Sequence, residues 1–431
     1  MSLFFSIPYI FRIFITLILL LVIYKYAKNL LIALIICIFL LAFWTGHSID
    51  TFFNTSWQRI SSINNIFLII IIAQIMSLSQ QMKDTGVMKD LVNSIKAKVP
   101  VKISMALLPA IIGLLPMPGG ALFSAPLVAD MDRNRHFPGH LKTKINYWFR
   151  HIWETWWPLY PGVLLAIEIS GLRIDHFVLI QFPMTFFVIL AGYIFILKKL
   201  KISNNTMTDD VGAKQVSLPI LLSPIIIVVS VTLAIRLLLP QMASFNKYTP
   251  MLIAILIAQI YLQFIRPLDL KTWRKIVFRK NMLNLLLIVL MVRVYGAFIE
   301  SEIESGILLM NQVKSELADI HLSPLFIIML LPFVSGLATG IAIGFVGASF
   351  PIVLNLLGND PLNSQLYAAT VLAYGFGYVG MMLSPVHICH LVTNDYFKTN
   401  LVKSILDLLK PSLIVLAGSF LLSRVWLFIL S

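Results

Sequence analysis

Apolar positions along this chain run in long blocks instead of recurring at every third or fourth place. Such blocks fall near residues 8–24, 29–46, 62–80, 147–170, 176–197, 218–239, 249–265, 282–300, 366–390 and 411–430. Crossing the ~30 Å hydrocarbon layer takes a helix of roughly 20 apolar residues, so the pattern predicts ten spanning helices. Two further apolar stretches, 103–129 and 325–354, are interrupted in the middle by Pro, Gly and Ser. That interruption suits two half-helices joined by an extended tip, and both stretches read as re-entrant hairpins.

Composition agrees: 59% of the 431 residues are hydrophobic and only 12% are charged. No soluble domain hides so much apolar surface. The net charge of +14 would suggest nucleic acid in a soluble protein, but the basic residues here sit between apolar blocks. No nucleic-acid partner is expected, and their placement becomes a signal of topology. Lys83, Lys89, Lys96, Lys98 and Lys102 precede the first hairpin, and Arg133, Arg135, Lys142 and Lys144 follow it, so both its ends are expected in the cytoplasm. Around the second hairpin lie Glu302, Glu304, Glu316 and Asp319 with only Lys314, so both its ends are expected outside. The loops with Lys198 to Lys201, Arg266 to Lys280 and Lys398 to Lys410 come out cytoplasmic. Both termini are then outside, in a multi-pass protein of the cytoplasmic (inner) membrane. Arg59 and Arg173 break the count mildly, each beside a polar or acidic neighbour. Block 8–24 lacks a small-residue cleavage site and reads as a retained span. Cys37 and Cys389 lie inside apolar blocks, which argues against a disulfide framework or a cysteine-rich metal site.

The two halves repeat one another. Asp84-Thr85-Gly86 matches Glu304-Ser305-Gly306, and Leu107-Leu108-Pro109 with Gly113-Leu114 matches Leu330-Leu331-Pro332 with Gly336-Leu337. Gly119, Ser124, Pro126 and Val128 match Gly344, Ser349, Pro351 and Val353, and Phe149 and Pro158 match Phe376 and Pro385. The offsets of 220, 223, 225 and 227 drift slowly and never backwards, as small insertions between two copies of one unit would make them. Each half holds five spans and one hairpin, and the charge count sets the halves in opposite orientations. The expected fold is an all-α polytopic membrane protein, an inverted repeat of 5+5 transmembrane helices with two opposed re-entrant hairpins. Residues 1–197 form the first repeat, 198–217 a cytoplasmic linker and 218–431 the second repeat.

The tip Pro116-Met117-Pro118-Gly119-Gly120-Ala121-Leu122-Phe123-Ser124-Ala125-Pro126, set in such a repeat, resembles the ion transporter superfamily of gluconate, citrate and dicarboxylate carriers. The nearest resemblance is to a bacterial and archaeal integral-membrane family related to the gluconate permeases. What it implies is a homodimeric elevator transporter with a scaffold from 1–98 and 218–319 and a moving transport domain from 99–197 and 320–431. Segments 83–98 and 303–319 match the lateral arm helices of such carriers. The Ser-Asn-Thr tip signature of the sodium-coupled members is absent from both tips, which leaves protons as the simpler coupling ion and Na+ as the alternative.

Hairpin tips offer backbone N–H groups and helix N-termini to a cavity at membrane depth, which favours an anion. The candidate substrate-binding residues are Pro118, Gly119, Gly120, Ser124, Gly344, Gly347, Ser349 and Ser384, the glycines opening the backbone and the serines adding hydroxyls. Pro158 and Pro161 cannot donate to a helix ladder, so span 147–170 should unwind and expose carbonyls that could hold a cation or substrate. Just before them stand Arg150, His151 and Glu154, either an i, i+4 ion pair at the interface or a charge and coupling group. His387 and His390 follow the matching break; the two alone make no zinc site, and no metal or other cofactor is expected. Arg293, deep in span 282–300, either neutralises an anion or pairs with an acid of the transport domain. Arg236 is expected to snorkel, and Trp44, Trp57, Trp148 and Trp426 to mark interfaces.

No Walker A motif, Asp-rich phosphate motif or HExxH appears, which disfavours an enzyme or an ATP-driven pump. A channel would want a continuous polar lining in place of two closed hairpins. The reading that remains is a secondary active transporter for a small organic anion, with a lipid-linked or amphiphilic anion as the alternative, since Met117, Leu122 and Phe123 surround the first tip.

Overall fold

The computed structural model describes residues 7–117, 120–132, 137–198, 200, 218–303, 306–358 and 361–430. Pro118 and Gly119, Glu304-Ser305 of the repeat and nearly all of the expected linker 198–217 lie outside the described residues. Within them the chain is helical, with one isolated bridge between Glu302 and Leu308.

The first half runs α1 (Tyr9–Ala27), α2 (Leu30–Trp44), α3 (Ile49–Ser61), α4 (Ile63–Asp84), α5 (Val87–Lys98), the hairpin α6 (Val101–Gly113) and α7 (Ala121–Asp130), α8 (Gly139–Arg150), α9 (Pro161–Ser170), α10 (Ile174–Gln181) and α11 (Met184–Gly192), which ends in a π turn. The second half runs α12 (Leu218–Leu238), α13 (Pro240–Phe245), α14 (Thr249–Ile265), α15 (Leu270–Val277), α16 (Lys280–Ile299), α17 (Leu309–Asp319), the hairpin α18 (Pro324–Thr339) and α19 (Ala342–Asn355), α20 (Asn363–Met382), α21 (Ile388–Phe397) and α22 (Leu401–Leu430). A pair of helices stands at each stretch read as a hairpin, and α5 and α17 fall within 83–98 and 303–319.

Six stretches among the described residues are long and apolar enough to cross a membrane: Tyr9–Ala27, Ile63–Asp84, Ile174–Leu197, Ile220–Leu238, Leu270–Ile299 and Leu401–Leu430. Ten were expected, and the shortfall has three physical sources. The helices Leu30–Trp44 and Thr249–Ile265 have only 15 and 17 residues. Block 147–170 breaks where Pro158 and Pro161 interrupt the ladder, leaving α8 and α9 as separate pieces, whereas α20 before the Pro385 break has 20 residues but is not among the six, its Tyr, Gly and polar first turn lowering its apolar character. Three helices, α3, α13 and α15, were not anticipated. α3 is too polar to span, is capped by Ser48 through the Thr51 N–H at 3.2 Å, and leaves Phe53 and Trp57 exposed, as a helix lying in an interface does.

Packing is reciprocal between the halves. α1 packs on α2 as α12 packs on α14; α2 meets α16 as α14 meets α4; α6 meets α8 as α18 meets α20. Helix α9, beyond the first break, packs on α19 of the second hairpin, while α21, beyond the second break, packs on α7 of the first. The arms cross over too: α5 touches α12 and α17 touches α1. At that last contact Glu316 accepts from the N–H groups of Tyr9 and Ile10 at 3.0 and 2.8 Å, satisfying two orphan donors of α1.

Among the described residues each Lys or Arg ion pair joins two residues that the charge count expects on the same side of the membrane, and that expectation sorts the pairs into two sets. One holds Lys96–Asp130, Lys142–Asp132, Lys144–Asp407, Arg266–Asp90 and Lys398–Asp395. The other holds Arg59–Glu300, Arg173–Asp175, Arg236–Asp175, Lys247–Glu168 and Arg293–Glu168. Arg59 and Arg173, which broke the charge count, are thus each neutralised by an acid, and Arg236 pairs where it was expected to snorkel. Trp44 and Trp148 are corrected as well: both are buried, and the Trp148 indole donates to the Val188 carbonyl at 3.0 Å.

Candidate functional site

A cavity of about 190 Å³ lies where the two broken helices and the two hairpin tips converge. Its lining comes from the first tip (Pro116, Met117), the first break (Arg150, His151, Glu154, Tyr160), the second tip (Gly340 to Ile343) and the second break (His387 to Cys389). Only Met76 of α4 and Leu285 of α16 reach it from elsewhere among its described walls, apart from Pro161 and Gly162 of α9 and Met381 of α20. A smaller cavity of about 60 Å³ shares Met76, Pro116 and Met117 with it and continues to Lys83 and Arg279.

Three helices begin at this cavity. α9, α19 and α21 place Pro161, Ala342 and Ile388 in its wall, and no side chain caps any of the three N-termini. Their orphan N–H groups and positive dipole ends therefore collect at one point. Arg150 is the one lysine or arginine of the lining, and it is 2% exposed. Its Nη2 donates to the Met117 carbonyl at 2.8 Å, its Nε has no hydrogen-bond partner, and its guanidinium lies against Gly120.

The unwound stretch 151–160 holds the first hairpin by its backbone. Trp153 donates to the Ala110 carbonyl at 2.8 Å and Trp157 to Leu114 at 3.0 Å, and the Tyr160 hydroxyl donates to Gly113. With Arg150 on Met117 of the tip, three carbonyls at the end of α6 and one beyond it accept from side chains of one neighbouring segment. Two carbonyls of the unwound stretch are taken in turn by α20: Tyr374 donates to Glu154 O at 3.0 Å and Tyr378 to His151 O at 3.2 Å. The expectation that this stretch leaves its carbonyls open to a cation is corrected at those two positions.

The structure sorts the remaining candidates. Arg150 and Glu154 form no ion pair; Glu154 instead stands 3.9 Å from His151 Nε2. His151 and His387, from opposite halves, meet with their Nε2 atoms 3.1 Å apart. His390 stacks on Tyr147 at a centroid distance of 4.2 Å. Arg293 does find an acid, Glu168 at 3.4 Å, and Glu168 is also held by Lys247 at 2.9 Å and by the Tyr248 hydroxyl at 2.9 Å. Glu168 lay unremarked in an apolar block.

Ser124, Gly344, Gly347 and Ser349 do not line the cavity. The serines bond back to their own helices, Ser124 to Gly120 O at 3.4 Å and Ser349 to Phe345 O at 2.6 Å. A Cβ at Gly344 would meet Thr339 and one at Gly347 would meet Val292, both at 2.5 Å, so these glycines admit neighbours instead of a ligand. Gly120 is filled by Arg150, and Ser384 Oγ accepts from Val386 N at 3.3 Å beside Gly340. Gly340 itself was not singled out, yet it turns the second tip with φ +64° within 3 Å of where a side chain would strike His387. Its position after Thr339 at the end of an apolar run was the available signal.

A multi-pass α-helical membrane protein, with broken helices and helical hairpins around a central cavity, is the class these features define. The chain belongs to the DUF401 family, described as "protein of unknown function", whose model matches residues 7–426. Its fold is similar to that of the Alcanivorax borkumensis YdaH transporter, whose crystal structure is described as revealing an unusual topology. The TM-score is 0.61 over 89% of this chain and 90% of that one, at 13% identity, so the likeness is one of fold. No curated protein matches the sequence.

Proposed function

We propose that this protein is a secondary active transporter that moves a small organic anion, carboxylate-bearing, across the cytoplasmic membrane. The observation that carries the reading is Arg150: a buried cation with a free Nε, in a cavity onto which three uncapped helix N-termini converge. A carboxylate there would meet a guanidinium and several N–H donors at once. The transporter fold of the similar structure agrees with transport.

An elevator mechanism belongs to the same proposal. The scaffold comprises 1–98 and 218–319 and the transport domain 99–197 and 320–431, in a homodimer with both termini outside. The reciprocal packing supports two inverted repeats. Met76 and Leu285 in the lining support a cavity that lies against this scaffold, and the second cavity leading to Lys83 and Arg279 supports an inward-facing state. The resemblance to gluconate, citrate and dicarboxylate carriers points to sugar acids and di- or tricarboxylates as first substrates. One observation favours an amphiphilic or lipid-linked anion as the second reading: Met76, Met117, Leu285, Ile341, Ile343 and Ile388 make much of the wall apolar.

Glu154 is the carboxylate placed to carry a coupling proton, since an uncompensated charge moved through hydrocarbon costs several kcal/mol. In proteoliposomes, Glu154→Gln is expected to abolish accumulation driven by a pH gradient and to keep substrate exchange. Accumulation by that variant in sodium-free buffer would remove Glu154 from coupling; uptake that needs Na+ and ignores pH would replace the proton altogether.

A further inference from the structure

The two histidines at the breaks have a third neighbour. His151, His387 and Cys389 each offer a donor atom, and the three atoms lie within 4.8 Å of one another, all on buried residues. The sequence separates the first from the others by more than two hundred positions, yet the fold sets the two histidine Nε2 atoms 3.1 Å apart.

Protonation at His151 follows from its other ring atom. Nδ1 lies 2.6 Å from the Tyr147 carbonyl, which can only accept, so the hydrogen is on Nδ1 and Nε2 presents a lone pair. That lone pair points at another imidazole nitrogen. An approach at 3.1 Å is stable only with a proton or a cation between the two. A histidine whose far N–H is held by a backbone carbonyl is also the usual arrangement of a metal ligand, oriented and tautomer-fixed from behind.

We propose that His151 Nε2, His387 Nε2 and Cys389 Sγ bind one borderline-soft divalent transition-metal ion, for which Zn2+ fits best. Ligand atoms about 2.0–2.3 Å from a tetrahedral Zn2+ stand roughly 3.3–3.7 Å from one another, so the observed spacing closes with small side-chain rotations. Two imidazoles and a thiolate suit Zn2+ far better than the hard cations Na+ or Mg2+. Glu154 lies 3.9 Å from His151 Nε2 and lines the same cavity. Its carboxylate and the Cys389 thiolate balance the two charges of the ion, and Arg150 is left for an anion. Binding joins the break of one half to the break of the other, so the metal would clamp the two halves across the cavity. The site stands on ligand geometry alone, although it lies in the cavity assigned above to an anion.

The test uses the full chain purified in detergent without a histidine tag, stripped with a chelator and titrated with Co2+ as the probe. One Co2+ per chain is expected, with the intense thiolate-to-cobalt absorption band and tetrahedral d–d bands, both removed by added Zn2+. Cys389→Ser should lose the thiolate band. His387→Ala should weaken Co2+ binding by about 100-fold or more, since even outer-shell partners are worth roughly 10–100-fold. His390→Ala, whose ring stacks on Tyr147 outside the ligand set, should leave both unchanged. Absence of the band in the unaltered protein overturns the proposal whether or not any variant folds, and leaves a hydrogen-bonded histidine pair. Co2+ binding that survives both Cys389→Ser and His387→Ala overturns it as well. Neither result bears on anion transport, and a failure to bind anions would leave the cobalt band in place.

Discussion

The two hairpin tips answer one physical problem in different ways. A helix that ends inside a protein leaves carbonyls without partners, and each unmet one costs about 1–3 kcal/mol. At the first tip the answer comes from outside: Arg150, Trp153, Trp157 and Tyr160 reach across from the broken helix to the carbonyls of Met117, Ala110, Leu114 and Gly113. At the second tip it comes from the backbone, where Gly340 in the left-handed region returns its N–H to Gly336 O at 2.8 Å. Thr339 adds a bond to Ser335 O at 2.7 Å, and Tyr24 of α1 donates to Thr339 O at 3.2 Å. A tip held by side chains can share them with a ligand. A tip held by a glycine turn is a fixed wall, and the first tip is therefore the one whose order should depend on what occupies the cavity.

The largest effect is expected at Arg150, which serves both the tip and the cavity. Arg150→Met should reduce uptake by at least about 100-fold and destabilise the fold by roughly 1–3 kcal/mol, because the charge-assisted bond to the Met117 carbonyl is lost and only the Gly120 N–H remains on it. Proteoliposome uptake and thermal melting measure the two separately, and a variant that transports normally would break the link between tip and site.

Next come the paired glycines. Gly340→Ala puts a Cβ 2.8 Å from the His387 backbone nitrogen at φ +64°, so stability should fall by about 1–2 kcal/mol. Gly120→Ala meets the far end of the Arg150 side chain instead, which can move. Its melting point should change less than that of Gly340→Ala while its uptake falls more. Equal behaviour of the two would erase the distinction between the tips.

A smaller loss is expected for Trp153→Phe, which keeps the ring and removes one donor from Ala110 O, at about 1 kcal/mol. Ser124→Ala and Ser349→Ala should change neither uptake nor stability by more than about 0.5 kcal/mol, since each hydroxyl serves only its own helix. A clear uptake defect in either would return the hairpin serines to the site.

Much of the fold was legible because a membrane imposes long apolar blocks and Pro-Gly interruptions, and both hairpins and both breaks stand where those marks lie. Arg150, His151, Glu154 and His387 were legible for a related reason: ionisable groups are costly in apolar blocks and stand out there. What they touch was not. Helical spacing left open whether Arg150 pairs with Glu154 or serves as a separate charge, and Arg150 reaches the first tip instead. Gly344 and Gly347 looked like openings because a glycine tells nothing of what fills the space beside it, which here is Thr339 and Val292. His151 and Cys389 could not be joined from sequence, since only the reciprocal docking of the halves brings them together.

The most direct measurement is the thermal stability of the purified protein and of Arg150→Gln against a panel of carboxylates, sugar acids and phosphates. A ligand at about 100 times its Kd adds roughly 2.7 kcal/mol to the state that binds it. At least one small carboxylate is expected to raise the melting temperature of the unaltered protein and to leave Arg150→Gln unmoved. A panel in which no anion stabilises the unaltered protein, or in which both proteins gain equally, would contradict an anion site built on Arg150.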